Sequence, residues 1–107
     1  MKQKEEAVTA LCPRFHRAVE LIGRRWSGAI IRVLLNGPLR FNEILARVPG
    51  VSDRLLTARL RELEPAEILR REVEADSPVR VTYELTERGR QLQRPLDAIG
   101  SWAESWL

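Results

Sequence analysis

Apolar residues in this chain recur at two different periods, and the changes of period divide it into segments. Phe15, Ala18, Val19 and Ile22 fall at i, i+3, i+4 and i+7, one face of an amphipathic helix over about 13–23 that Gly23 ends. A second helix opens around Trp26–Ser27 and carries Ile30, Ile31, Val33, Leu34 and Leu35; Gly37 is its C-cap candidate and Pro38 its stop. Leu39, Arg40 and Phe41 read as a short extended piece. In FNEILARV, Asn42 is the cap candidate, and Ile44, Leu45 and Val48 turn inward. After the tight turn PGV, Ser52 is a good N-cap for SDRLLTARLRELE, with Asp53 at the positive helix end, and Pro65 stops that helix. The period then becomes two. Leu69, Arg71 and Val73 alternate with Arg70 and Glu72, and Val81, Tyr83 and Leu85 alternate with Arg80, Thr82 and Glu84, around the polar tip EADSPV. Thr86 caps a last helix, 87–107, in which Leu92, Leu96, Ile99, Trp102, Ala103 and Trp106 return at helical spacing.

The order is α-α-β-α-α-β-β-α. Two helices joined by a short glycine turn make a helix-turn-helix, and a hairpin placed after it makes a winged helix. The expected fold is therefore mainly α with a small β-hairpin wing (α+β), in one domain over 1–107. At ~100° per residue, Leu56, Leu60 and Leu63 cluster on one side of the fourth helix with Leu55 at their flank. Arg54, Thr57 and Arg61 fall in one narrow sector opposite, bordered by Glu64. A recognition helix needs this arrangement: the apolar face docks on the domain while arginine forks reach guanine edges and hydroxyls reach phosphate. Arg54 and Thr57, near the helix start, are the candidate base readers and Arg61 the candidate phosphate holder, with Ser52, the cap, counted among the DNA-binding residues. On an isolated helix the same face would be ordinary solvated surface; the helix-turn-helix and wing favour recognition. Arg59 falls between Leu55 and Leu63 and reads as structural, its stem buried and its head paired to a carboxylate. Arg80, at the exit of the hairpin tip, is either a minor-groove or phosphate contact or a solvated strand residue beside acidic Glu74 and Asp76. Arg40 and Asn42 are candidate backbone contacts at the start of the preceding helix.

Two apolar stripes exceed what one subunit of this size readily buries: Phe15, Val19 and Ile22 at the start, and Ile99, Trp102 and Trp106 at the end. They predict a homodimer through the first and last helices (about 13–23 and 87–107), with two recognition helices ~34 Å apart on one face of double-stranded DNA.

Charge agrees without deciding anything. The chain of 107 residues carries net charge +3, with its excess in residues 1–36, where Lys2, Lys4, Arg14, Arg17, Arg24, Arg25 and Arg32 face Glu5, Glu6 and Glu20. MKQKEEAVTA has no apolar core of a secretory signal, and no apolar run approaches the ~20 residues of a membrane span, so a cytoplasmic location without membrane contact is expected. One histidine and one cysteine make no metal cluster, and no glycine-rich phosphate loop follows a strand. Neither an enzyme nor a bound cofactor is expected. A winged-helix module that docks on protein is the alternative; it would show more exposed apolar or aromatic residues where this chain has Arg54, Thr57 and Arg61.

The one cysteine, Cys12, stands at the N-cap of the first helix with Pro13 at its first position. Unsatisfied backbone N–H groups and the positive helix end favour a thiolate there, with Arg14 and His16 in the next turn. Two readings stay open: a capping residue and nothing more, or a sensor of oxidants and electrophiles. Without a second cysteine, a sensor would act through an adduct, a sulfenic acid or a link between the two Cys12 residues of a dimer.

The segment AVELIGRRWSGAIIRVLLNGPLRFNEILARVPGVSDRLLTARLRELE, then SPVRVTYELTERG and LDAIGSW, resembles the HxlR-type transcriptional regulators, winged-helix proteins related to the MarR group, over nearly the whole chain. The resemblance implies a homodimer on a pseudo-palindromic operator, with Ser52–Glu64 as DNA-contacting helix and the wing centred on Asp76–Arg80; some members use a cysteine near position 12 as a redox or electrophile sensor. Repression is the expected mode, because no acidic or apolar surface for recruiting polymerase stands out. Two departures bear on backbone geometry. The family's Gly-Gly-Lys-Trp is Gly23-Arg24-Arg25-Trp26 here, so Arg25 supplies the cation while Arg24 gives up glycine's freedom. Glu67 stands where the family has a glycine, so the turn into the wing must accept a side chain.

Overall fold

A computed structural model describes residues 12–76 and 78–107; Lys2 and Lys4, counted in the basic N-terminal excess, lie outside the described residues. The order is α1 (Pro13–Ile22), α2 (Ser27–Leu34), β1 (Leu39–Arg40), α3 (Phe41–Arg47), α4 (Asp53–Leu63), β2 (Leu69–Glu74), β3 (Arg80–Leu85), α5 (Glu87–Arg90) and α6 (Gln93–Trp106). The strands form one antiparallel sheet in the order β1-β3-β2, so the extended piece before α3 joins the hairpin as a third strand.

The core is built from the periodic positions. Ile30, Ile31 and Leu34 of α2, Ile44 of α3 and Leu56, Leu60 and Leu63 of α4 are buried together with Leu69, Leu85 and Leu96. Packing of these helices with the root of the hairpin in one core seats α4 on the domain by its leucine face. The turn between α3 and α4 closes through Val51 N–H to the Val48 carbonyl at 3.2 Å. Gly50 in that turn has φ +98°, and a Cβ there would lie 3.0 Å from the Trp26 ring, so both backbone freedom and space require glycine.

The last helix differs from the expected continuous 87–107. It is broken after Arg90 and restarts at Gln93. The reason is Pro95: in an unbroken helix its ring would collide with the Gln91 carbonyl and its missing N–H would leave that carbonyl unpaired. As the third residue of α6, where N–H groups have no intrahelical partner, it is accommodated. Asn42 is not the cap of α3; Arg40 holds that place, and its N–H donates to the Glu43 carboxylate at 2.8 Å. The second helix ends at Leu34 with Leu35 as C-cap, and Gly37, φ +137°, lies beyond it. In the α1–α2 loop the left-handed residue is Trp26, φ +79°, and Arg24 pays no conformational cost. Glu67 does adopt the left-handed turn, φ +63°, as its replacement of a glycine requires.

Candidate nucleic-acid interface

Helix α4 is anchored at both its start and its flank. Ser52 Oγ accepts from the Leu55 N–H at 3.1 Å, so its hydroxyl is engaged as a cap. Leu56, Leu60 and Leu63 face inward, Arg54 and Arg61 are exposed, and Thr57 is half-buried between them. These three side chains border one shallow groove on the outer side of the helix. Arg59 takes the structural role its place on the wheel implies. Its side chain is 12% exposed, its Nε donates to the Arg25 carbonyl at 2.8 Å, and its Nη1 meets Glu62 Oε2 at 3.0 Å. Arg24 joins the same carboxylate at 3.4 Å, which ties the α1–α2 loop to the back of α4.

Within α4 and the hairpin the arginines divide in two. Arg59 is locked to Glu62, and Arg70 to Glu72 and Glu84. Among the described residues, Arg54, Arg61, Arg71 and Arg80 make no ion pair. Arg40 is exposed at the end of β1, where it faces Thr82 of β3 in register, and Asn42 is exposed in the first turn of α3. Arg80 is exposed on the outer face of the hairpin directly across from Glu74, whose charge opposes its own toward any anion.

Sequence reasoning missed one cleft. Thr57 and Arg61 on α4 and its C-cap Glu64 meet Arg71 of β2 in a cleft that Phe41 and Tyr83 also line. The signal was present in the alternation, because Arg71 has the same parity as core residue Leu69.

Cys12 caps α1 in extended conformation, with Pro13 first in the helix, and its side chain is partly exposed. The Phe15 N–H at the helix start holds the thiol below its ordinary range; partial desolvation opposes this, and the Arg14 N–H with the charges of Arg14 and Arg17 adds to it. Elsewhere on α1, Phe15 and Val19 are exposed, while Ile22 is half-buried against the core of its own subunit. On α6, Ile99, Trp102 and Trp106 are exposed, the last two by 57% and 74%. No helix among the described residues is long and apolar enough to cross a membrane, and no group of His, Cys, Asp and Glu among them could hold a metal ion.

Helix α4, the second of a helix-turn-helix, which offers arginine and threonine outward and is followed by an antiparallel wing, defines a winged-helix DNA-binding protein. The sequence model of the HxlR-like helix-turn-helix family matches residues 21–107, and the chain belongs to that family. It is a DNA-binding transcriptional regulator and not an enzyme. The transcriptional regulator YodB of Bacillus subtilis is 44% identical over 96 residues, covering 90% of this chain and 86% of YodB. The solved structure of reduced YodB superposes with a TM-score of 0.82, over 90% of this chain and 94% of that one. Quinone-bound YodB gives 0.78 at 42% identity, over 90% of this chain and all of that one. The redox regulator HypR in its reduced form gives 0.80 at 37% identity, over 86% of this chain and 91% of that one.

Proposed function

We propose that the chain acts as one domain, a homodimeric repressor that places α4 in successive major grooves of a pseudo-palindromic operator in the cytoplasm. The observation that carries this is the division of the arginines on α4: Arg59 at the flank is neutralised by Glu62, and Arg54 and Arg61 on the outer face are left for an anionic partner. Arg54 and Thr57 read base edges near the helix start. Ser52, its hydroxyl engaged as a cap, sets the helix N-terminus against a phosphate, and Arg61 holds another. Arg40 and Asn42 touch the flanking backbone, and Arg80 reaches the DNA from the wing against the opposing charge of Glu74. Phe15, Val19 and Ile22 of α1 and Ile99, Trp102 and Trp106 of α6 cover one another across the two-fold axis.

Selection of bound duplexes from a random pool tests the whole reading, since it returns the site, its symmetry and its half-site spacing together. On the selected site, Arg61→Ala weakens binding to cognate and random duplex alike and lowers the slope of log K against log salt by about one. Arg54→Ala instead relaxes base preference at one position in each half-site. An Arg61→Ala protein with unchanged affinity and slope would remove that residue from the interface.

Cys12 is the point at which the repressor senses electrophiles. The thiolate adds to a ring carbon of a quinone; the S–C bond forms, the displaced π pair moves to one quinone oxygen, which takes a proton from solvent, and the hydrogen on the attacked carbon leaves as a proton while the second oxygen takes one up, giving the hydroquinone thioether. Support comes from the lowered thiol pKa and from the likeness to quinone-bound YodB. Quinone treatment is expected to change operator affinity in the wild-type protein and to leave Cys12→Ser unaffected; an equal response in both defeats the assignment. Because folding lowers this pKa, the folded chain holds more thiolate than the unfolded chain at neutral pH. The difference closes as pH rises above the ordinary thiol range. Iodoacetamide labelling should therefore titrate at lower pH in native than in urea-unfolded protein.

A further inference from the structure

Side chains on the two faces of a hairpin alternate, and cross-strand partners share a face. Leu69 pairs with Leu85, Arg71 with Tyr83 and Val73 with Val81. These three pairs form the inner face of the wing, the one that continues into the core. Leu69 and Leu85 are buried, whereas Arg71 is exposed. Arg71 is thus the first inner-face residue on β2 to emerge from the core, and it emerges beside α4. There it shares a cleft with Thr57, Arg61 and Glu64 that Phe41 and Tyr83 also line. The neighbouring outer-face arginine, Arg70, is spent on Glu72 at 3.4 Å and Glu84 at 3.2 Å. Neither Arg61 nor Arg71 has a carboxylate partner among the described residues, although Glu64 borders the same cleft.

We infer that Arg71 and Arg61 together clamp one phosphate of the DNA strand that passes between the recognition helix and the wing. The inference rests on the DNA-binding reading above and adds a second cationic element, from the sheet, to a contact that α4 alone would make with a single guanidinium. Two guanidinium groups converging from different elements hold one phosphate oxygen set by parallel N–H donors, which fixes the register of α4 along the groove without reading sequence. Thr57 lines the α4 wall of the same cleft, on the side that leads to the base-reading face of the helix. Glu64 sets a limit on the site: it disfavours a free anion there and leaves one presented by a duplex that α4 and the wing already grip.

Arg71→Ala is expected to weaken binding to cognate and random duplex by the same factor. It should also lower the salt slope by about one, so that the fall in affinity between 50 and 200 mM salt is about threefold smaller than for the wild type. Arg71→Lys retains most of the slope, since it keeps the charge, and loses part of the affinity, since it loses the fork. A scan of operators carrying one uncharged methylphosphonate each should find a linkage at which wild-type affinity falls and Arg71→Ala has no further effect; the same linkage should silence Arg61→Ala. Wild-type binding with an unchanged slope in Arg71→Ala, or methylphosphonate effects additive with Arg71→Ala at every position, would overturn this inference alone. A wild-type protein that binds no duplex at all would overturn the DNA-binding reading and this inference with it.

Discussion

Trp102→Glu is expected to make the protein monomeric and to lower operator affinity by two orders of magnitude or more. Trp102 is 57% exposed near the end of α6, flanked on the same face by exposed Ile99 and Trp106, while Phe15 and Val19 stand exposed on α1. An aromatic stripe of this kind on a small domain costs solubility unless a second copy covers it. A carboxylate placed in the middle of the covered surface would be buried without a partner, which disfavours association by several kcal/mol. The loss of DNA affinity follows from geometry. When two half-site readers are joined, the second binds at an effective concentration that multiplies affinity by about 100–10,000. Sedimentation of the free protein and titration of a full operator against a single half-site measure the two effects. A variant that stays dimeric, or a monomer that binds the full site as tightly as wild type, would show that this face is not the dimer contact. Because Trp102 is exposed in the single subunit, the fold should survive, and the circular dichroism spectrum should be little changed.

Gly89→Ala is expected to destabilise the fold by about 3 kcal/mol. Gly89 is buried in the short helix α5, and a Cβ there would run into the carbonyl oxygen of Ile68, a backbone atom that cannot swing aside. That carbonyl is already committed. It accepts from the Thr86 N–H at 3.0 Å, and the Thr86 hydroxyl lies 3.1 Å from it and 2.6 Å from the Glu67 carbonyl. The Gly89 N–H in turn donates to Thr86 Oγ1 at 3.1 Å. Thr86 and Gly89 thus bolt α5 to the entrance of β2, at the point where Glu67 takes its left-handed turn. Gly28→Ala is the contrasting change, since a Cβ there meets only Leu96 Cδ2 at 3.7 Å, an ordinary contact inside helix α2. It should be neutral or stabilising by up to about 1 kcal/mol. Thermal melts of both variants at one protein concentration separate the two outcomes; equal melting temperatures would mean that the α5–β2 joint yields freely.

The clearest guide to the recognition helix was its wheel. Spacing alone put Leu56, Leu60 and Leu63 on one side, Arg54, Thr57 and Arg61 on the other, and Arg59 among the leucines, because helical geometry converts sequence separation directly into angle. Capping by Ser52 and Thr86 was legible for the same reason, since a cap bonds an N–H three residues on in its own chain. Pro95 was equally visible, but the helical spacing of Leu92, Leu96 and Ile99 continued across it and concealed the break at Gln91 and Leu92. The α1–α2 loop shows the limit of local reasoning. Whether Arg24 or Trp26 would adopt the left-handed conformation depended on where the indole had to lie against Gly50.

The amino-acid sequence by itself determined the element order up to the break in the last helix, the inward face of each helix, the winged-helix class and the outward arginines of α4, all of which follow from periods of 3.6 and 2 along one chain. Only the tertiary structure decided the pairing of β1 with β3, the reach of Arg24 across to Glu62, and the emergence of Arg71 beside Arg61. Those depend on residues from different elements meeting in space, and no periodicity within one segment carries that information.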